Sequence, residues 1–144
     1  MSISDKNSSE YRSNITAQNQ LYSDLNLFFP IHPNKKDIIP VTDVDAIKQS
    51  VRNLVLTNYG EKLFNPKFGG NVTSYLFENV NRYTQLSIYT EINSILAKFE
   101  KRITDVDVRV DDDIDDNSYN IAISFRIKTS DELAEIGFAL KRLR

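Results

Sequence analysis

Apolar residues recur at helical spacing in two stretches of the chain and at every second position in two more. This change of period sets the expected architecture. Val44, Ile47, Val51, Leu54 and Val55 line one face of a helix that Thr42 would cap, with Asp45 as a weaker capping-box acid. The helix should run to about Leu56 and stop at Thr57-Asn58-Tyr59-Gly60, where Gly60 suits the left-handed position. Leu86, Tyr89, Ile92, Ile95, Leu96 and Phe99, with Ile88, predict a second helix from a cap at Asn81 or Thr84 to about Lys101. At ~1.5 Å per residue that helix spans about 30 Å. The period then becomes two: Val106, Val108 and Val110 in one strand, Ile121, Ile123, Phe125 and Ile127 in the next. These two read as an antiparallel hairpin over 103–128, solvated on one face.

The remaining stretches are shorter. Leu25, Leu27 and Phe29 alternate as in a half-buried strand, stopped by Pro30 and Pro33, and Ile38 to Val41 reads as a brief extended piece. In the tail, Leu133, Ile136, Leu140 and Leu143 suit a helix, whereas Ile136, Phe138 and Leu140 suit a strand. The strand is preferred because the hairpin offers it an edge. Thr57 to Glu78 is the densest run of turn residues and aromatics: Tyr59, Phe64, Phe68, Tyr75 and Phe77 between Gly60, Pro66 and Gly69-Gly70. A long loop of this kind is rarely idle, and its rings must be buried against this chain or another. Asn71 should cap a short helix, Val72 to Glu78, with Tyr75, Leu76 and Phe77 inward. The expected fold is α+β: two main helices and a short one packed on a small antiparallel sheet with a C-terminal edge strand. Residues 1–20, polar and without periodicity, predict an extended N-terminal arm, and residues 21–144 a single domain.

Composition narrows the functional classes. At 144 residues the chain can bury roughly two-thirds of its extended surface without staples. It has no cysteine, so thiol catalysis, disulfides and thiolate zinc sites are excluded. Its one histidine, His32, sits between two prolines and reads as a turn residue instead of a base. A net charge of −2 argues against a general nucleic-acid binder. No apolar run approaches the ~20 residues of a membrane span, and the N-terminus shows no apolar signal core. Asp111, Asp113 and Asp115 have the spacing of a calcium loop, but Asp116 stands where glycine is needed and Ala122 where a bidentate Glu is needed. The loop therefore reads as a self-repelling hairpin tip, and no metal or cofactor is expected. Lys141, Arg142 and Arg144 form a basic end suited to an acidic partner surface.

In order and spacing, several short motifs resemble the phage baseplate-wedge family of contractile tails, sometimes called lysozyme-like. They are Ser23-Asp24-Leu25 with Phe28, Ala46-Ile47-Lys48-Gln49-Ser50, Asn53-Leu54, Leu56-Thr57, Gly60-Glu61-Lys62, then Phe64, Pro66, Phe68 and Gly69, then Leu76-Phe77-Glu78, and Glu100-Lys101-Arg102-Ile103 leading into the Val106-Val108-Val110 strand. The resemblance covers about residues 23–128. The family usually carries Glu-Pro-Arg where this chain has Glu100-Lys101-Arg102, and commonly Arg where Lys62 stands. Lysine does not stop a helix as proline does, so the long helix is expected to run further here.

The resemblance implies a structural subunit of the tail baseplate in a virion, assembled in the host cytoplasm, with no membrane or nucleic-acid partner. It would bind larger wedge proteins through its helices and offer edge strands to the first tail sheath subunits, with tube or hub proteins as further partners. The residues expected to meet partners are Leu133, Ile136, Phe138 and Leu140 in the tail strand and Phe64 and Phe68 in the loop. Glu78, Glu100 and Arg102 form an expected structural motif, in which Arg102 bridges to Glu78 and ties the loop to the helix–strand junction. The contrasting reading is a cell-wall glycosidase, which needs two carboxylates about 5–9.5 Å apart, one with a raised pKa. Glu78 and Glu100 are the nominated pair, but Arg102 near either would lower its pKa, which is wrong for a general acid. No enzyme activity is expected.

Overall fold

In a computed structural model the described residues are 21–113 and 118–141. The expected arm at 1–20, the aspartate loop at 114–117 with Asp115 and Asp116, and the basic end at Arg142 and Arg144 lie outside them. The described residues fall into two compact units, one ending at Asp43 and the other beginning at Val44.

In the first unit, β1 (Ser23–Asp24) pairs antiparallel with β2 (Val41–Thr42). The Asp43 carboxylate closes the pair by accepting the Leu21 and Tyr22 backbone N–H groups at 3.0 and 3.3 Å. The half-buried strand expected through Leu25, Leu27 and Phe29 does not form. Asn26 turns the chain instead: its side chain accepts the Phe28 N–H at 3.0 Å, its carbonyl accepts the Phe29 N–H, and Phe29 takes φ +49°. All three apolar side chains are exposed. An Asx turn satisfies backbone groups locally and so outcompetes a strand that has no long partner. His32 is a turn residue, as expected: its Nδ1 accepts the Asn34 and Lys35 N–H groups at 3.2 and 3.3 Å.

The second unit carries the main secondary structure. Helix α1 (Asp43–Leu56) buries Ala46, Ile47, Val51, Leu54 and Val55. A 3₁₀ helix follows at Val72–Phe77, and then helix α2 (Arg82–Phe99), whose N-cap Asn81 accepts the Thr84 N–H at 2.8 Å. β3 (Ile103–Asp113), β4 (Ser118–Ile127) and β5 (Leu133–Lys141) form one antiparallel sheet in that order, so the tail is a strand. Ile121, Ile123, Phe125 and Ile127 of β4 are buried with Ile103 and Val108 of β3, on the face expected. α2 packs against β3.

Three local expectations need correction. The side chain of Asn71 makes no cap bond, and the buried residue of the 3₁₀ helix is Val72; Tyr75 and Leu76 are half-buried and Phe77 is exposed. Helix α2 ends at Phe99 despite Lys101, because Glu100 leaves helical geometry (φ −110°, ψ 86°) to place its carboxylate. The buried stripe of α2 is Thr84, Ile88, Ile92, Ile95 and Leu96, whereas Leu86 and Tyr89 are exposed together with Tyr83. Tyr83, Leu86 and Tyr89 follow at spacing three, so α2 is apolar on two sides and its own core covers one.

Candidate functional site

The sheet has two borders of opposite character. Along β3 the pairing slips between Thr104 and Asp107, and Asp105 there takes φ +48°. Asp105, Asp107, Asp111 and Asp112 make that border acidic, and Arg126 holds the bulge by reaching Asp105 at 3.4 Å and Asp131 at 3.2 Å. Bulges and charges are the usual devices that stop a border strand from pairing further. β5 has no bulge, and its two charges, Glu135 and Lys141, both lie on the solvated face. Its nine residues pair with β4 without a register slip, from Leu133 opposite Arg126 to Lys141 opposite Ser118. A Cβ on Gly137 would meet nothing closer than 3.9 Å.

The partner residues expected on this strand separate by face. Ile136 and Phe138 are half-buried, as apolar residues are beside an unfilled strand position. Leu140 is 6% exposed and belongs to the core with Ala134. Leu133, 68% exposed, points to the opposite, solvated face with Glu135, Gly137, Ala139 and Lys141.

The aromatic loop is pinned at its base and open at its tip. Gly70 donates to Thr57 O at 3.0 Å, Tyr59 to Gly70 O at 2.9 Å and Gly60 to Pro66 O at 2.9 Å. Asn58 gives its backbone N–H and side-chain amide to the exposed Glu61 carboxylate, both at 2.8 Å, and these bonds hold that carboxyl below its ordinary value. Gly69 has φ +89°, and a Cβ there would lie 2.2 Å from the Thr57 carbonyl oxygen; one on Gly70 would lie 2.0 Å from Ile95 Cδ1. Gly69 is therefore required for the loop to close on Thr57 at its base, and Gly70 leaves room for Ile95 of α2. Glu91 of α2 fixes it there, accepting from the Tyr59 hydroxyl at 3.1 Å and the Asn71 N–H at 3.2 Å. Burial, then the Glu91 hydrogen bond and charge, raise the pKa of that hydroxyl.

Phe68, expected to meet a partner, is instead half-buried against Phe99, ring centroids 5.1 Å apart, with Lys62 Nζ 3.8 Å above it. Phe64 does project outward: it is fully exposed beside exposed Leu63, at φ +64°.

The fork of Arg102, expected to reach Glu78, closes on Glu100. Its Nε and Nη2 donate to the two oxygens of that carboxylate at 2.6 Å each, and Ser50 Oγ of α1 donates to Oε2 at 2.9 Å. Of the three residues expected to form one motif, Glu100 and Arg102 come together, while Glu78 is exposed. The Glu100 side chain is 4% exposed and that of Arg102 33%. Burial alone would raise the Glu100 pKa. The Arg102 hydrogen bonds, the Ser50 bond and the Arg102 charge outweigh it, and the pKa is lowered. The clamp joins α1, the end of α2 and the entry to β3.

Beside it lies a cleft of about 400 Å³ lined by Asn93, Leu96, Ala97, Glu100, Lys101, Ile103, Val106 and Lys128. Among the described residues Glu100 is the one carboxylate on its wall, and its oxygens already have partners.

Sequence reasoning missed Ser50 and Glu91. Each carried a signal: a polar residue three after one buried isoleucine and four before another buried apolar residue, Ile47-Ser50-Leu54 and Ile88-Glu91-Ile95. Polar groups on an apolar stripe need a partner across the packing.

A family model described as "Baseplate wedge protein gp25" matches residues 41–132. The baseplate wedge protein gp25 of Enterobacteria phage T4 is 30% identical over 123 residues, 85% of this chain and 92% of the phage protein. Among solved structures, a "putative tail lysozyme" from Geobacter sulfurreducens superposes with TM-score 0.62 at 22% identity, covering 68% of this chain and 89% of that one. A chain of the baseplate complex from the type VI secretion system superposes with TM-score 0.57 at 14% identity, covering 68% and 92%. At these identities the two structures speak for the fold alone.

Proposed function

The chain belongs to the gp25 baseplate wedge family of contractile tails, and from that premise we propose that it is a non-catalytic subunit that starts the tail sheath by strand addition at β5. The observation that carries this reading is the contrast between the two sheet borders: β3 is bulged and acidic, while β5 is regular and flanked by half-buried Ile136 and Phe138. An incoming strand would gain main-chain hydrogen bonds and cover those two side chains. The exposed stripe Tyr83, Leu86 and Tyr89 and the open loop tip Leu63-Phe64 are the surfaces proposed to meet larger wedge subunits. Membership of a phage virion follows from the T4 relative as part of the same proposal.

The test is assembly with the companion baseplate and sheath proteins. Ile136→Lys and Phe138→Lys should join the wedge yet fail to seed sheath, because a charge beside the border opposes pairing. Sheath of native length on either variant, with circular dichroism as for wild type, overturns the reading.

The likeness to a tail lysozyme raises glycosidase activity as a second reading. Glu100 weighs against it: a general acid needs a raised pKa and a free proton-bearing oxygen, whereas this carboxyl is lowered and held by Arg102 and Ser50. Turnover of peptidoglycan by purified protein, lost in Glu78→Gln, would favour the enzyme.

A further inference from the structure

We infer that β5 pairs antiparallel with β5 of a second copy, so that the free protein associates as a two-fold dimer through one continuous sheet. This rests on the strand's own residues and does not depend on the sheath-seeding proposal. The sheet order places β5 at a border. Among its described residues, 133–141, it carries two charges, Glu135 and Lys141, both exposed on the solvated face. Phe138 lies midway between them.

A two-fold axis through Phe138 therefore sets Glu135 of each copy opposite Lys141 of the other. The same register sets Gly137 opposite Ala139 on the solvated face. On the helix side it sets Phe138 opposite itself and Ile136 opposite Leu140. Across 135–141, charge meets opposite charge, small meets small and apolar meets apolar. Moving the axis by one residue, to Gly137, destroys the match: Leu133 then faces Lys141, and Glu135 faces Ala139. Side chains directly opposite in antiparallel strands are the unit of sheet stability, and like charges there destabilise. Ile136 and Phe138, half-buried in the single chain, would be covered further by the added strand. The border holds one added strand at a time, so a dimer of this kind also keeps the edge covered until another strand displaces it.

Sedimentation equilibrium of the purified full chain, at rising concentration into the high-micromolar range, tests the pairing. Wild type should show a reversible monomer–dimer equilibrium. Glu135→Lys or Lys141→Glu alone places like charges opposite each other twice per dimer and should weaken association about tenfold or more. The double variant Glu135→Lys/Lys141→Glu restores both pairs and should return to within about threefold of wild type. Both side chains are exposed, and melting temperature checks that each variant is folded. A wild type that stays monomeric, a dimer indifferent to the single swaps, or a double variant as weak as the singles overturns the inference.

Discussion

Replacing Arg102 by alanine would leave the Glu100 carboxylate buried with the Ser50 hydroxyl and a backbone N–H as its remaining donors. Breaking a buried pair by removing one partner typically costs about 3–5 kcal/mol, most of it the burden of the stranded charge. Arg102 is itself a third exposed, so solvent already screens the pair, and a loss of about 3 kcal/mol is expected near neutral pH. Glu100→Gln should cost less, about 1–2 kcal/mol, because the amide still accepts from Ser50 and the arginine left behind reaches water.

The two variants also differ in pH dependence. In the wild type the folded-state pKa of Glu100 is depressed, so its stabilisation is complete above the unfolded carboxyl pKa and fades as pH falls through the folded value. In Arg102→Ala, burial dominates and raises the folded pKa, so that variant loses stability as pH rises. The gap between wild type and Arg102→Ala should therefore be wide at pH 7 and shrink toward about pH 4. Urea unfolding followed by circular dichroism at both pH values measures it. A loss below about 1 kcal/mol at pH 7, or one that stays the same at both pH values, refutes the reasoning.

Other perturbations have graded outcomes. Gly69→Ala should cost more than about 3 kcal/mol, since the new methyl meets a backbone oxygen in a left-handed position, whereas Gly60→Ala, with open space around φ +85°, should cost about 1 kcal/mol; chemical denaturation of the two separates clash from strain. Asn81→Ala removes the α2 cap and should cost about 1 kcal/mol by the same measurement. Phe64→Ser should change stability by less than about 0.5 kcal/mol while weakening capture of wedge subunits in a pull-down. Deleting residues 129–144 removes the strand that pairs along β4 and supplies buried Ala134 and Leu140, so the truncated chain should lose its cooperative melt.

Where one period dominated, the sequence was legible. The stripe from Ile47 to Val55 and the alternation in β3 and β4 follow from spacing, because each element buries one face, whereas spacing suited the tail to helix and strand alike and the open hairpin edge decided it. Leu25, Leu27 and Phe29 alternate equally well, yet the Asn26 turn decides that segment locally. In α2, counting apolar residues could not separate the stripe the core covers from the stripe it leaves bare. The partner of Arg102 was misassigned for a related reason. A carboxylate two residues away cannot face its neighbour within a helix, and the helix–strand corner that brings Glu100 round is a tertiary feature.

The kink at Asp105 has a consequence for geometry beyond this one polypeptide. A ribbon sealed along one margin can be lengthened only from the other, so anything templated on it acquires a defined head and tail and has no second place to start.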